Sequence, residues 1–332
     1  MNDIRWGILG CGRIAHKFAN DLQLAGGGKL TALASRSLEN AKEFSEKFPA
    51  QYIHGNYEEL VNNPDVDIIY IATPHGLHHE HALLCLNHKK AVLCEKAFAM
   101  NSRQVSEMID AARKNNVFLM EAMWTKFVPH YLTTMSMINE GKLGKIRSMQ
   151  VNFGFATDPS FPQRLFKPAL GGGTLMDIGI YNVFLTLSVL GMPDEIDAWM
   201  KPSKEGIDEQ MAVVFRYNDG SFSQMLSSFL TNLGTEADIN GEKGRIKLTS
   251  RFYEPISTSI EFFPGRPDSK ENIPFEKESG WGYQYQIRHA HDCLHKGLNE
   301  SPVMSLKDSL QLMNTLDAIR AKAGLVYDAD KG

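Results

Sequence analysis

The sequence predicts an α/β part followed by an α+β part: a doubly wound parallel sheet first, then an open-faced, mostly antiparallel sheet with helices on one face. Three observations carry this. Short apolar runs alternate with helix-spaced stretches as far as about residue 124. Beyond that point strands follow one another without helices long enough to cross over. The length, 332 residues, also exceeds what one hydrophobic core usually organises. We therefore divide the chain at 1–124 and 125–332, and expect the last helices to pack back on the first part.

Element by element, "IRWGILG" reads as a strand and the stretch after it, to Gln23, as a helix. "KLTALAS" is a second strand. "SLENAKEFSEKF" has helix spacing, with Ser37 as its N-cap. "DIIYIAT" is continuously apolar, as a strand covered on both faces is. Helix "HHEHALLCLNH", strand "KAVLCEK", helix "SRQVSEMIDAARKNN" and strand "VFLMEAM" complete the first part. "VPHYLTTMSMINEGKLG" is one connecting helix ended by Gly141 or Gly144. "KIRSMQVNFGF" alternates, and "QMAVVFRYNDGSFSQMLSSF" is a hairpin turning at Asn218-Asp219-Gly220. "TEADINGEKGRIKLT" repeats that pattern. One helix is inserted near 174–190, and two amphipathic helices end the chain.

Composition excludes several classes. The net charge is −4 with both signs dispersed, and no basic block suggests a nucleic-acid partner. The apolar runs read as too short for a bilayer span, so no membrane partner is expected. The N-terminus enters a strand directly, so no secretory leader is expected. Four cysteines without paired spacing fit a reduced, cytoplasmic setting. His75, His78, His79, His81 and His88 crowd one stretch, but no cysteine or carboxylate set completes a coordination sphere, and no metal is expected.

The chemistry-bearing pattern begins at "GILGCGRIA". Gly10-x-Gly12-x-x-Ala15 follows the first strand and opens the first helix. Gly10 permits the tight turn, Gly12 lets a pyrophosphate approach the backbone, and Ala15 allows close helix–strand packing. The helix N-terminus then offers free N–H groups to phosphate. This is the Rossmann dinucleotide pattern, with Gly10, Cys11, Gly12, Arg13 and Ile14 as the contacting loop. At the end of the second strand an NAD site usually has a carboxylate for the ribose hydroxyls. Here Ser35 and Arg36 stand instead. A guanidinium suits a 2′-phosphate, so NADP is expected, with NAD left open.

Ligands of such sheets lie beyond the carboxyl ends of the strands. Thr73, His75 and His78 sit at one such end, Glu95 and Lys96 at another, and Trp124 with Phe127 just after a third. The aromatic pair reads either as a substrate wall or as core. Lys96 would meet a reacting oxygen.

"GILGCGRIA", "YEELVNNPDVDIIYIATPHGLHHEHALLCL", "KAVLCEKAFAMN" and "GGGTLMDIGIYNV" together resemble the Gfo/Idh/MocA oxidoreductase family nearly end to end. "FLMEAMWTKFVP" and "GTLMDIGIYNV" resemble its dimeric dihydrodiol dehydrogenase branch, which includes NADP-linked xylose dehydrogenases. The resemblance implies that Lys96 is the catalytic lysine, that Tyr181 is the acid/base, and that His78 touches cofactor or substrate. The remaining histidines are then expected on helix surfaces. It also implies a homodimer through the C-terminal sheet. Asp177 precedes Tyr181 by four residues, one helical turn, on the same face. Ala97 stands where the family usually has proline, so the backbone at Lys96 is expected to lose a rigid restraint.

The chemistry expected is hydride exchange between NADP(H) and the carbinol or carbonyl carbon of a sugar or vicinal diol. A free phenol titrates near about 10, and a nearby ammonium favours its ionised form. Whether Lys96 or Tyr181 passes the proton is open at this point. Two other readings compete. One is a non-catalytic NADP sensor, which would need no proton relay. The other is an enzyme that retains bound NAD for elimination or hydrolysis, against which Arg36 argues.

Overall fold

A computed structural model describes residues 2–158, 160–265 and 268–331. The chain forms two compact units. The first comprises Met1–Lys126 with Glu278–Met313, the second Phe127–Lys277 with Asn314–Gly332. Residues 278–313, placed by the sequence division in the second part with its helices packing back, thus group with the first unit.

The first unit holds β1 (Ile4–Leu9), α1 (Arg13–Ala25), β2 (Gly28–Ala34), α2 (Leu38–Lys47), β3 (Tyr52–His54), α3 (Tyr57–Asn62), β4 (Ile68–Ile71), α4 (His78–Asn87), β5 (Ala91–Glu95), α5 (Ser102–Asn115) and β6 (Leu119–Ala122). The strands form one parallel sheet in the order β3-β2-β1-β4-β5-β6. Every residue of β4 and β5 is buried, which is why these runs are apolar up to Glu95, the last residue of β5. The reversal of strand order between β1 and β4 opens the crevice where such sheets take ligands. Short polar side chains start the helices. Ser37 Oγ accepts from Asn40 N (3.4 Å), Asn56 Oδ1 from Glu59 N (2.8 Å) and Asn101 Oδ1 from Gln104 N (3.0 Å). The sequence reading placed Ser37 correctly but no element at β3 or α3, which are too short for a periodic signal. Helix α8 (Tyr283–His295) packs on α1. Its start is fixed by Asp21, which accepts from Trp281 N (2.9 Å) and Tyr283 N (2.8 Å).

The second unit holds α6 (Pro129–Asn139), β7 (Ile146–Gly154), a π-helical turn Leu175–Gly179 running into α7 (Ile180–Leu190), then β8 (Glu195–Pro202), β9 (Asp208–Arg216), β10 (Phe222–Ser228), β11 (Ala237–Gly241), β12 (Gly244–Leu248), β13 (Ile260–Pro264) and β14 (Glu271–Ile273). The strand order is β14-β13-β12-β11-β7-β10-β9-β8. Both expected hairpins are present, β9–β10 and β11–β12. At the first, Gly220 takes φ +83°. The sheet is nonetheless mixed, because β7 and β10 run parallel. Helix α7 covers β7 and β10 on one face.

One expectation is corrected here. By length and composition the 23-residue stretch Pro168–Leu190 meets the criterion for a bilayer span, although the sequence reading found no such run. Most of it is buried inside the unit, which accounts for its apolar character. Helix α9 (Leu306–Ala323) contains the division between the units at Met313.

Candidate active site

At the end of β1, Gly10 takes φ +97°, a conformation that L side chains rarely adopt. A Cβ there would also meet Thr73 Cγ2 at 2.9 Å. Gly12 caps α1 in an extended conformation, and a Cβ on it would have nothing within 4 Å. The first turn of α1 holds no acidic residue, and Arg13 is exposed on it. Ala15 is fully buried, as close helix–strand packing requires. This is a cradle that fits a pyrophosphate: open space over backbone amides at a positive helix end. Ile14 is half-buried beside it. Cys11 Sγ donates to Ala34 O (3.7 Å), and burial pushes its thiol up to about 11, so it stays protonated.

At the end of β2, Ser35 is buried and Arg36 is exposed. Burial pushes the Tyr57 phenol up against the opposing pull of the Arg36 guanidinium, and burial, helped by Arg36, pulls the His81 ring down. The Ser37 hydroxyl is committed to capping α2.

The ends of β4 and β5 are tied together by His78. Its Nδ1 lies 2.8 Å from Ala97 O and its Nε2 2.7 Å from Thr73 O. The ring is fully buried. Burial pulls it down to about 4, while the two carbonyls favour the protonated ring. His78 was expected to touch cofactor or substrate; both its nitrogens face backbone carbonyls, and the residue staples the Thr73 loop to the Lys96 loop. His81 is likewise not on a helix surface. It is buried, with Nδ1 2.9 Å from Thr73 Oγ1. His75 is buried, its ring 5.7 Å from that of His78. His79 pairs with Glu107 (2.7 Å), and His88 is exposed. Among the described residues these histidines form no cluster of three metal-capable groups.

Glu95 is buried and accepts from Tyr70 Oη at 2.5 Å, so Glu95 and Lys96 are not a solvated surface pair. Lys96 is half-buried, and the Lys96–Ala97 peptide is cis. Glu121, in the middle of β6, escaped the sequence reading. It is buried, and burial pushes its carboxyl up to about 7 against the opposing pull of the Ser309 hydroxyl, the Phe98 amide and the Lys96 charge. A lone glutamate inside the apolar run "FLMEAM" was the available signal. Trp124 is 4% exposed and stacks on Tyr283 at 4.5 Å, and Phe127 is 7% exposed. Both are packed side chains.

In the second unit Tyr181 occupies the first turn of α7 and is 6% exposed. Its ring lies 5.0 Å from Tyr253 and 5.9 Å from Phe153, which stack on each other at 4.6 Å. Asp177 is ion-paired with Arg164 (Nη1–Oδ1, 2.9 Å). The α-helical spacing assumed between Asp177 and Tyr181 does not hold, because Asp177 lies in the π-helical turn. Such turns recur at functional sites. Arg164, Phe153 and Tyr253 were not singled out from sequence, since they come from a loop, a strand and a second loop far apart in the chain.

A phosphate cradle at the switch point of a parallel sheet, a lysine at the next strand edge and a separate unit carrying a phenol beside an aromatic cluster define an NAD(P)-dependent oxidoreductase. Residues 4–123 match the family model described as oxidoreductase family, NAD-binding Rossmann fold, and residues 131–247 match the Gfo/Idh/MocA C-terminal domain. The chain belongs to the Gfo/Idh/MocA oxidoreductase family. It is similar to trans-1,2-dihydrobenzene-1,2-diol dehydrogenase of Xenopus tropicalis, at 35% identity over 97% of this chain and 99% of the relative. The human protein of that name is 34% identical, with 99% of each chain covered. Among solved structures, KijD10, a 3-ketoreductase from Actinomadura kijaniata in complex with NADP and TDP-benzene, superposes with a TM-score of 0.88. The identity there is 26%, over 97% of this chain and 98% of that one.

Proposed function

We propose that the protein is an NADP-dependent dehydrogenase or reductase acting on a carbinol carbon of a vicinal diol or sugar, with Tyr181 and Lys96 serving one proton transfer. The observation that carries this is Tyr181 itself: a phenol set among aromatic rings, in a chain about a third identical, end to end, to dihydrodiol dehydrogenases. A nicotinamide held there would supply hydride exchange. Gly10, Cys11, Gly12, Arg13 and Ile14 hold the pyrophosphate, and Arg36 with Ser35 takes the 2′-phosphate. Thr73, His75 and Glu95 shape the strand edge that would hold the nicotinamide, with His78 acting through the loops it joins. Tyr181 exchanges the substrate's hydroxyl proton, and Lys96 is the second group assigned to that transfer. Asp177, paired with Arg164, offers a carboxylate to a neighbouring substrate hydroxyl. The test is a spectrophotometric screen with NADP⁺ and NAD⁺ against trans-dihydrodiols, aldoses and polyols. Turnover of a diol or sugar with NADP⁺ is expected. Tight NADPH binding without turnover of any of them would favour a sensor instead.

We also propose a homodimer through the face of the second sheet opposite α7. Trp199, Ala212 and Leu226 sit in register there, and Trp199 is 58% exposed, with Phe222 exposed nearby. Apolar side chains on an uncovered sheet call for a cover. Sedimentation should show a dimer that Leu226→Glu converts to a monomer. We place the protein in the reducing cytoplasm, since its four cysteines are free thiols; cell fractionation tests this.

A further inference from the structure

The sequence Gly171-Gly172-Gly173-Thr174 leads into the π-helical turn and α7. Gly171 and Gly173 take φ +73° and +115°. A Cβ on Gly173 would come within 2.1 Å of Asp208 Oδ1, so the glycine is needed to admit that carboxylate. Asp208 is the first residue of β9 and is fully buried. Its Oδ2 accepts from Thr174 Oγ1 at 2.5 Å and from Leu175 N at 2.7 Å. Leu175 opens the π-helical turn, where backbone N–H groups lack partners within the helix and a negative charge is favoured. From the other side Tyr327 Oη donates to Gly172 O at 3.1 Å. Tyr327 is the titratable group facing Asp208, and behind it the Arg320 guanidinium lies over its ring, paired with Asp317 and Asp330.

We propose that Asp208 is a positioning residue for the reaction, its carboxylate fixing the start of the helical run Leu175–Leu190 and thereby the places of Asp177 and Tyr181. The proposal rests on the assignment of Tyr181 to proton transfer. Asp208 touches no reacting group. It acts by holding two donors at the origin of a turn whose later residues do the chemistry, where small displacements are costly to rate. Burial pushes its carboxyl up to about 6, so its charge is lost on mild acidification. A protonated carboxyl is a poorer acceptor for both donors, so turnover should fall as pH drops through that value.

The test compares kcat, KM and the NADPH dissociation constant between about pH 5 and 8 in wild type, Asp208→Asn, Asp208→Ala and Thr174→Val. Asparagine keeps an acceptor oxygen but cannot titrate. Asp208→Ala should lower kcat about 100-fold with NADPH affinity within about twofold. Asp208→Asn should lower kcat about tenfold and abolish the acid limb near pH 6. Thr174→Val, with the charge retained, should lower kcat less and keep that limb. Wild-type turnover in Asp208→Ala, or an unchanged acid limb in Asp208→Asn, would overturn the proposal. If Asp208→Ala does not fold, the Asn and Val variants decide on the same criteria. Full turnover in Tyr181→Phe would instead sink the underlying assignment, while the acid limb would still report on Asp208.

Discussion

The strand edge of the first unit and the helix start of the second are built in different ways. The first is made mostly of backbone: the Gly10 turn, the open space over Gly12, and two carbonyls joined through His78. The second is made of side chains on an irregular turn, with Asp177 against Arg164 and Tyr181 among Phe153 and Tyr253. A backbone cradle recognises what all dinucleotides share. A side-chain constellation is suited to recognising one substrate and, on the function proposed, places one proton. Binding and turnover should therefore separate by mutation, and each change below tries to break that separation.

The largest effect is expected from Tyr181→Phe: a loss in kcat of about 100-fold or more, with NADPH affinity within about twofold, read by stopped-flow and fluorescence titration. Next is Gly12→Val. A Cβ there meets no protein atom within 4 Å, so the melting temperature should hold while NADPH affinity falls by roughly 100-fold. If affinity survived, the pyrophosphate would not lie over Gly12. Arg36→Ala should raise KM for NADP about tenfold and leave KM for NAD unchanged. An equal change for both would remove the 2′-phosphate from Arg36.

The smallest effect concerns stability. Burial holds His130 at about 4, below its ordinary 6.5, with Nε2 2.7 Å from Phe252 O. Between those values the unfolded chain binds the extra proton, so this contribution is present above pH 6.5 and is lost as pH falls toward 4. Asp208 has the opposite sign, because its folded value of about 6 lies above the ordinary 3.8. Its contribution is greatest below pH 3.8 and is lost as pH rises toward 6. In His130→Gln the melting temperature should therefore fall less steeply on acidification than in wild type. An unchanged slope would show that His130 is not held neutral.

The contrast between the two regions also explains what was legible in the sequence. The cradle is local, six residues in a row with known consequences, and Ser37 and the Asn218-Asp219-Gly220 turn are local too. The tie made by His78 was not legible because its partners, Thr73 O and Ala97 O, are carbonyls that every residue carries and that no motif advertises. Trp124 was ambiguous because an aromatic looks the same in a core and on a wall. Asp208 was invisible because its partners lie 33 and 34 positions away, across a helix and a strand. The π-helical turn was missed because the four-residue spacing from Asp177 to Tyr181 suits an ordinary helix as well.

Helix α8 has a consequence for biosynthesis. The first unit begins at the amino terminus, yet Trp6 Nε1 finds its acceptor on His291 (2.8 Å), and Asp21 finds its donors at Trp281 and Tyr283. The segment that opens the unit therefore stays incomplete on the ribosome until nearly the whole chain has emerged. A nascent protein stalled after Lys277 would carry the nucleotide cradle without the helix that packs behind it.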